Sequence, residues 1–234
     1  MNLLAQKASG KFVTENVHRN CIMYLGSAVE MSPTYKAIKP HLEFVLFSVV
    51  MPTLSLSHSD AALFQDDPVE FVRKIHNPLE DWADPRNAAM TLLQNLVKYR
   101  QKDSLNMLLT HLQGILAEYT AAPAASKDYL KKDGVIVCLC SVAKDLLESK
   151  AHAHMVEAFV IHHVIPEFTS PAPFLRARAC WAVEFLASGD VAFQDPGVNS
   201  AVLSGLLCGL RDPALPVQAA AFICSSFLPL SLIF

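Results

Sequence analysis

Four histidines and one carboxylate, His152, His154, His162, His163 and Glu157, lie close together in this chain and come nearest to a reactive set. Imidazole and carboxylate are ligands that tetrahedral zinc accepts. Their spacing argues against a metal site: His152 and His154 are two apart, so a helix turns them to different sides, one exposed and one packed. The six cysteines, Cys21, Cys138, Cys140, Cys180, Cys208 and Cys224, sit singly or in twos inside apolar helical patterns without a CxxC pair, and read as reduced core thiols. Serines are plentiful, yet no GxSxG elbow, HExxH, GxxxxGK(S/T) or GxGxxG occurs, and only eight glycines serve the whole chain. No catalytic residue, no metal and no cofactor are expected.

Guanidinium groups are the next candidates, because their planar fork suits phosphate and carboxylate. Arg176 follows the capping residue Ser170 by six positions, as Gln218 follows Asp212. Stacked repeats would then bring Asp212 beside Arg176 as an inter-repeat ion pair, which is favoured over an anion site. A second charged feature is an acidic insertion, 58–84, where Asp60, Asp66, Asp67, Glu70, Glu80, Asp81 and Asp84 are balanced only by Arg73 and Lys74. Long insertions within repeats map to loops on one face, often the binding face, so this stretch is expected to be an exposed, mobile excursion from the stack. Asp67-Pro68 should cap a short helix there, ending near Ile75. Arg176, Arg178, Trp181 and Asp212, with Asp66, Asp67, Glu70, Glu80 and Asp81, are the interaction candidates.

The elements that position these residues are helices. From Phe168 to Ala187 a cap at Ser170 and prolines at 171 and 173 open a run of strong helix formers. Its apolar residues fall in two sets, Leu175, Ala179, Val183 and Leu186 on one side and Phe174, Trp181 and Phe185 on another, wider than the stripe of a surface helix. The same signature returns at Asp212-Pro213, 42 residues after Pro171, and is found at Asp84-Pro85, 86 residues before it, with a weaker copy at Lys132-Asp133-Gly134-Val135 between. A period near 43 lies in the HEAT/armadillo range of roughly 40–47 residues. The fold class is therefore all-α, an α-solenoid of antiparallel helix pairs in a right-handed superhelix, with 1–234 as one repeat segment. Trp181, Leu175, Leu109 and Leu112 are expected between its layers. Apolar helices are expected to stop at Pro52 and Pro166, and further helices to span 85–100 and 104–119.

A chain of 234 residues with 52% hydrophobic and 18% charged content can bury a large core, which argues against disorder. A net charge of -3, without a basic run, argues against direct nucleic-acid binding. Residues 1–11 lack the apolar core of a signal peptide, and the chain is expected to begin within a solenoid. Residues 222–234 form an atypical apolar end. Pro213, Pro216, Pro229 and Gln218 argue against a membrane span there, favouring a last repeat helix without its next neighbour.

Lys39-Pro40-His41, Asp66-Asp67-Pro68, Glu70, Arg73, Glu80-Asp81, Lys131-Lys132-Asp133-Gly134, His163-Val164, Pro166, Phe168-Thr169-Ser170 and Arg176-Ala177-Arg178-Ala179-Cys180-Trp181 occur in an order and spacing that resembles the karyopherin-β (importin-β) family, nearest the importin seven/importin eight branch and its plant relatives. The resemblance covers about Leu3 to Ala221. It implies a nuclear import receptor in nucleocytoplasmic protein transport, moving between cytoplasm and nucleus through the pore at the nuclear envelope. Such receptors bind cargo proteins and the phenylalanine-glycine repeats of nucleoporins in shallow inter-helix grooves, and release cargo on binding the small GTPase Ran. The chain would be the central part of a longer receptor, without the repeats that make the main Ran contact. Two other readings of the same helices are a general HEAT scaffold and a C-terminally membrane-tethered helical protein.

Overall fold

The structure, a computed structural model, describes residues 1–77, 84–189, 191 and 193–227. Among them every regular element is a helix: α1 (Asn2–Ala8), α2 (Glu15–Glu30), α3 (Ser32–Ile38), α4 (42–54), α5 (His58–Asp66), α6 (Pro68–Ile75), α7 (Pro85–Ala121), α8 (Tyr129–Glu148), α9 (153–164), α10 (Pro173–Ser188), α11 (Pro196–Gly209) and α12 (Leu215–Phe227). Asp-Pro pairs open three of them by one device. Asp84, Asp195 and Asp212 each accept, through Oδ1, the N–H two residues on, from Arg86 at 2.8 Å, Gly197 at 2.7 Å and Ala214 at 2.9 Å. The proline between has no N–H to satisfy, and the carboxylate answers the positive end of the helix dipole.

The chain forms two compact units, Met1–Leu56 with Ile75–Val142, and Ser57–Lys74 with Ala143–Phe234. In the first, α2 buries His18, Ile22, Leu25 and Val29 at steps of three and four, and packs along α7, whose Ala89, Leu92, Leu93 and Leu96 have no exposed surface. Each fully buried leucine contributes about 1.5–3 kcal/mol. α7 joins the two helices expected at 85–100 and 104–119 into one, kinked at Arg100 (φ −131°, ψ 30°).

α4 does not stop at Pro52. The helix continues to Leu54 because Val45–Val50 widens into a π-helical turn just before the proline. Proline lacks the N–H and its ring crowds the carbonyl four residues back, so a wider turn removes the clash while Val45, Leu46, Val50 and Leu54 stay buried. α9 does the same at Val160–Val164 before Pro166, then tightens to a 3-10 turn at Ile165–Thr169. The run 32–66 is long and apolar enough to cross a membrane by length and composition. Within it Leu42, Val45, Leu46, Val49, Val50 and Leu54 of α4 are core residues of the first unit.

The Lys-Lys-Asp-Gly element is a packing joint. Asp133 Oδ2 accepts the buried N–H of Leu56 at 2.8 Å, Lys132 is 1% exposed with its Nζ 4.9 Å from the Tyr119 ring centroid, and a Cβ on Gly134 would collide with Ser55 Oγ. Only glycine lets α8 approach the end of α4 so closely.

In the second unit the acidic insertion is partly packed. Ser57 Oγ and Asp67 Oδ1 cap α5 and α6, Phe64 and Phe71 meet edge-on at 4.9 Å and are buried, and Asp60, 5% exposed, pairs with Lys74 Nζ at 2.8 Å. A count of charges hides two phenylalanines seven residues apart on adjoining helices. α10 packs against α12 and buries Leu175, Ala179, Cys180 and Val183, while Leu109 and Leu112 are buried in the first unit. Trp181, expected between layers, is half-buried.

Two glycines let α11 lie close to its neighbours. A Cβ on Gly205 would meet the Phe168 ring, and one on Gly209 would come within 2.9 Å of Ala221 Cβ. Gly205→Ala is expected to destabilise by about 1–3 kcal/mol, because the buried Phe168 ring must move. Gly114→Ala, on an open face of α7 with nothing within 4 Å, should instead stabilise by about 0.5–1 kcal/mol. Urea unfolding of both variants measures this; equal effects would contradict the close contact.

Candidate functional site

Arg176 lies on α10 with a side chain 15% exposed, and Asp212, 8% exposed, lies in the turn leading into α12. The guanidinium donates through Nε and a terminal nitrogen to the two carboxylate oxygens at 2.6 and 2.8 Å, and through the other nitrogen to the Ser170 carbonyl at 2.8 Å. Gln218, in the equivalent position, donates to the Asp212 carbonyl at 2.6 Å. The residue six beyond Ser170 and Asp212 thus holds that residue's carbonyl, and Arg176 reaches the Asp212 carboxylate as well. Ser170 itself does not cap α10 as expected: with Pro171 and Pro173 ahead of the first free N–H groups, the helix starts at Pro173 with Ala172 as its N-cap and no side-chain cap bond, and Ser170 Oγ accepts only the Ala172 N–H at 3.4 Å. Burial opposes ionisation of Asp212, but the Arg176 hydrogen bonds, the Ala214 amide and the Arg176 charge outweigh it and hold the carboxyl below its usual range.

Arg178, Trp181 and Phe185 stack along one face of α10. The Arg178 guanidinium is 4.7 Å from the Trp181 ring centroid, and Phe185 lies against the same ring at 4.9 Å. On α6 Glu70 takes both oxygens to Arg73, at 2.6 and 2.7 Å, while Asp66 and Asp67 are exposed. The predicted Glu80 and Asp81 lie outside the described residues. Within these sets Glu70 pairs with Arg73 and Arg176 with Asp212.

His154 is exposed, His152 meets Ser149 Oγ at 2.9 Å, and the His162 and His163 rings are 6.5 Å apart. Among the described residues no three His, Cys, Asp or Glu side chains are grouped to hold a metal. All six cysteines are free thiols; Cys138, Cys140, Cys180 and Cys224 are buried, but Cys208 is exposed, unlike the core thiol expected there. Burial first, and neighbouring negative groups second, push the Cys180 and Cys224 thiols up to about 12, which makes them poor nucleophiles.

Sequence reasoning missed the cluster at the α7 kink. Arg100 donates to the Val29 and Glu30 carbonyls at 2.8 and 2.9 Å, capping the end of α2, and lies over the Tyr35 ring at 4.6 Å. Asp103 accepts from Tyr35 Oη and Lys39 Nζ, both at 2.9 Å. Burial and the Asp103 contact push the Tyr35 hydroxyl up to about 12. The partners are more than 60 residues apart in sequence, beyond the reach of any local motif. Between α1, α2 and α3 runs an apolar groove of about 500 Å³ lined by Leu4, Val17, Tyr24, Leu25, Ala28 and Ile38 among others.

A family model described as Cse1 matches residues 9–185. The chain is similar to the "Importin beta-like SAD2 homolog" of Arabidopsis thaliana, 31% identical over 97% of this chain and 22% of the relative. It is also similar to "Importin-8" of Homo sapiens, 31% identical over 94% and 20%, and to the "Probable importin-7 homolog" of Dictyostelium discoideum, 31% identical over 88% and 19%. The chain thus spans about a fifth of the length of these curated relatives. No solved structure matches it.

Proposed function

Because the chain belongs to the Cse1/importin-β family, an all-α HEAT-type solenoid fold, we propose that it is a segment of a nuclear transport receptor that works by binding proteins and not by catalysis. The observation that carries this reading is the family match across 9–185, which includes the Lys-Lys-Asp-Gly joint and most of α10. Stacked helices offer long continuous surfaces, and such surfaces suit partners better than small substrates. The apolar groove beside Tyr24 and Leu25 is the place where a nucleoporin phenylalanine would seat, since it is concave, apolar and open. Cargo binds elsewhere on the receptor, Ran-GTP engages the longer protein, and the receptor moves between cytoplasm and nucleus.

The test pairs two measurements. A full-length form containing this segment should enter nuclei of permeabilised cells with bound nucleoporin repeats, and this chain alone should retain a phenylalanine-glycine peptide but little Ran-GTP. Exclusion of the full-length form from nuclei would overturn the receptor reading. Constitutive capture of one partner with no nucleoporin binding would favour a general scaffold.

A further inference from the structure

Among the described residues His18 is the buried histidine, 8% exposed on the same face of α2 as Ile22 and Leu25. Its polar surroundings are sparse. Thr53 Oγ of α4 lies 3.5 Å from the ring Nε2 and gives its own proton to the Val49 carbonyl at 2.7 Å, so it can only accept from the ring. The charge that acts on the imidazole is cationic, the ammonium of Lys7 on α1. No carboxylate of α3, α4 or α7 among the described residues pairs with the ring. On α2 itself Glu15, one turn back, is exposed and makes no ion pair with it, and the neighbouring Arg19 bonds the Asn20 side chain. Burial first and the Lys7 charge second hold His18 below its ordinary range, so the ring is neutral at pH 7.

α1 is the element most sensitive to a change at this ring. It has seven residues, where a helix in water needs about 12–15 to persist alone, so packing holds it in place. Leu4 is its one buried residue. Leu4 and Met1 also line the apolar groove shared with α2 and α3, so detachment of α1 takes away part of that groove and uncovers the face of α2 beneath.

We propose that His18 is an acid-sensitive latch for α1: a proton on its buried imidazole meets the Lys7 cation with no carboxylate to offset it, and α1 with its wall of the groove is released. In the detached state the ring regains water and is freed from Lys7, so it takes up a proton more readily than in the closed state. The closed-state value lies below the open-state one, roughly 6.5. The contribution of the latch is therefore whole above that value and lost as pH falls toward the closed-state value. The inference goes beyond the transport-receptor reading, since release of α1 is measured without any ligand.

The experiment is amide hydrogen exchange of the full chain at pH 7.5 and pH 5.5, corrected for the intrinsic rate at each pH, with residues 1–11 compared with 92–97 of α7. Protection of 1–11 should fall about five- to tenfold on acidification while that of 92–97 stays level. His18→Gln, which keeps a donor for Thr53 but takes up no proton, should change less than about twofold between the two pH values. Lys7→Gln should reduce the response without abolishing it, because burial is the larger cause. A nuclear magnetic resonance titration of the His18 ring in the wild-type chain decides the matter independently of whether the variants fold, and a midpoint clearly below 6.5 is expected. Level protection of 1–11 across the two pH values would overturn the proposal. So would an equal fall at 92–97, a full response in His18→Gln, or a ring midpoint at or above 6.5.

Discussion

Asp212→Ala is expected to destabilise the chain by about 3–5 kcal/mol, the effect of removing one partner from a buried, bidentate pair. Arg176 would keep its bond to the Ser170 carbonyl but lose both carboxylate bonds while staying 15% exposed, and the turn before α12 would lose its Ala214 cap. The double variant Arg176→Met, Asp212→Leu should recover a good part of the loss, since two apolar side chains leave no stranded charge. The wild-type pair also carries a pH signature. The Asp212 carboxyl is lowered in the fold, so its contribution is fully present above the unfolded carboxylate value, roughly 3.9, and is lost as pH falls through the lower folded value. Urea unfolding at neutral and acidic pH reads both. A gap between wild type and Asp212→Ala that does not narrow on acidification would show that the pair is not the source.

Leu175→Ala should cost about 2–5 kcal/mol, because the side chain has no exposed surface and sits where α10 meets its neighbours. The spread in that range depends on how far the helices can close over the void. Leu207→Ala on α11 removes the same atoms from a site 53% exposed and should stay within about 0.5 kcal/mol. Comparing the two unfolding midpoints by circular dichroism separates burial from helix propensity; similar shifts would mean that α10 is not a core element.

Several parts of this architecture are legible in the chain. Asp-Pro pairs announce helix starts because the carboxylate and the missing proline N–H act locally, within two residues. The near-43 period registers at α10 and α12, where Arg176 and Gln218 hold the carbonyls of Ser170 and Asp212 from the same offset of six residues. Other features resist such reading. Pro52 looks like a stop signal, and the penalty it carries is real, but burial of Val45, Leu46 and Leu54 favours a helix that widens and continues. The acids of 58–84 look like a solvated excursion, whereas Phe64 and Phe71 find each other across two helices and carry Asp60 and Lys74 into a pair.

The sequence by itself determined the helical class, the Asp-Pro helix starts and the family, since periodicity, local turn chemistry and motif spacing are one-dimensional properties written in neighbouring residues. Repeat spacing also pointed to the pair of Arg176 with Asp212. Only the tertiary structure decided the other polar partners: Arg100 meets carbonyls of α2, and Asp103 meets Tyr35 and Lys39. Pairing depends on distances of about 3 Å between residues tens of positions apart, and burial makes a meeting such as Arg176 with Asp212 energetically large, whereas the exposed Lys39–Asp103 pair contributes little.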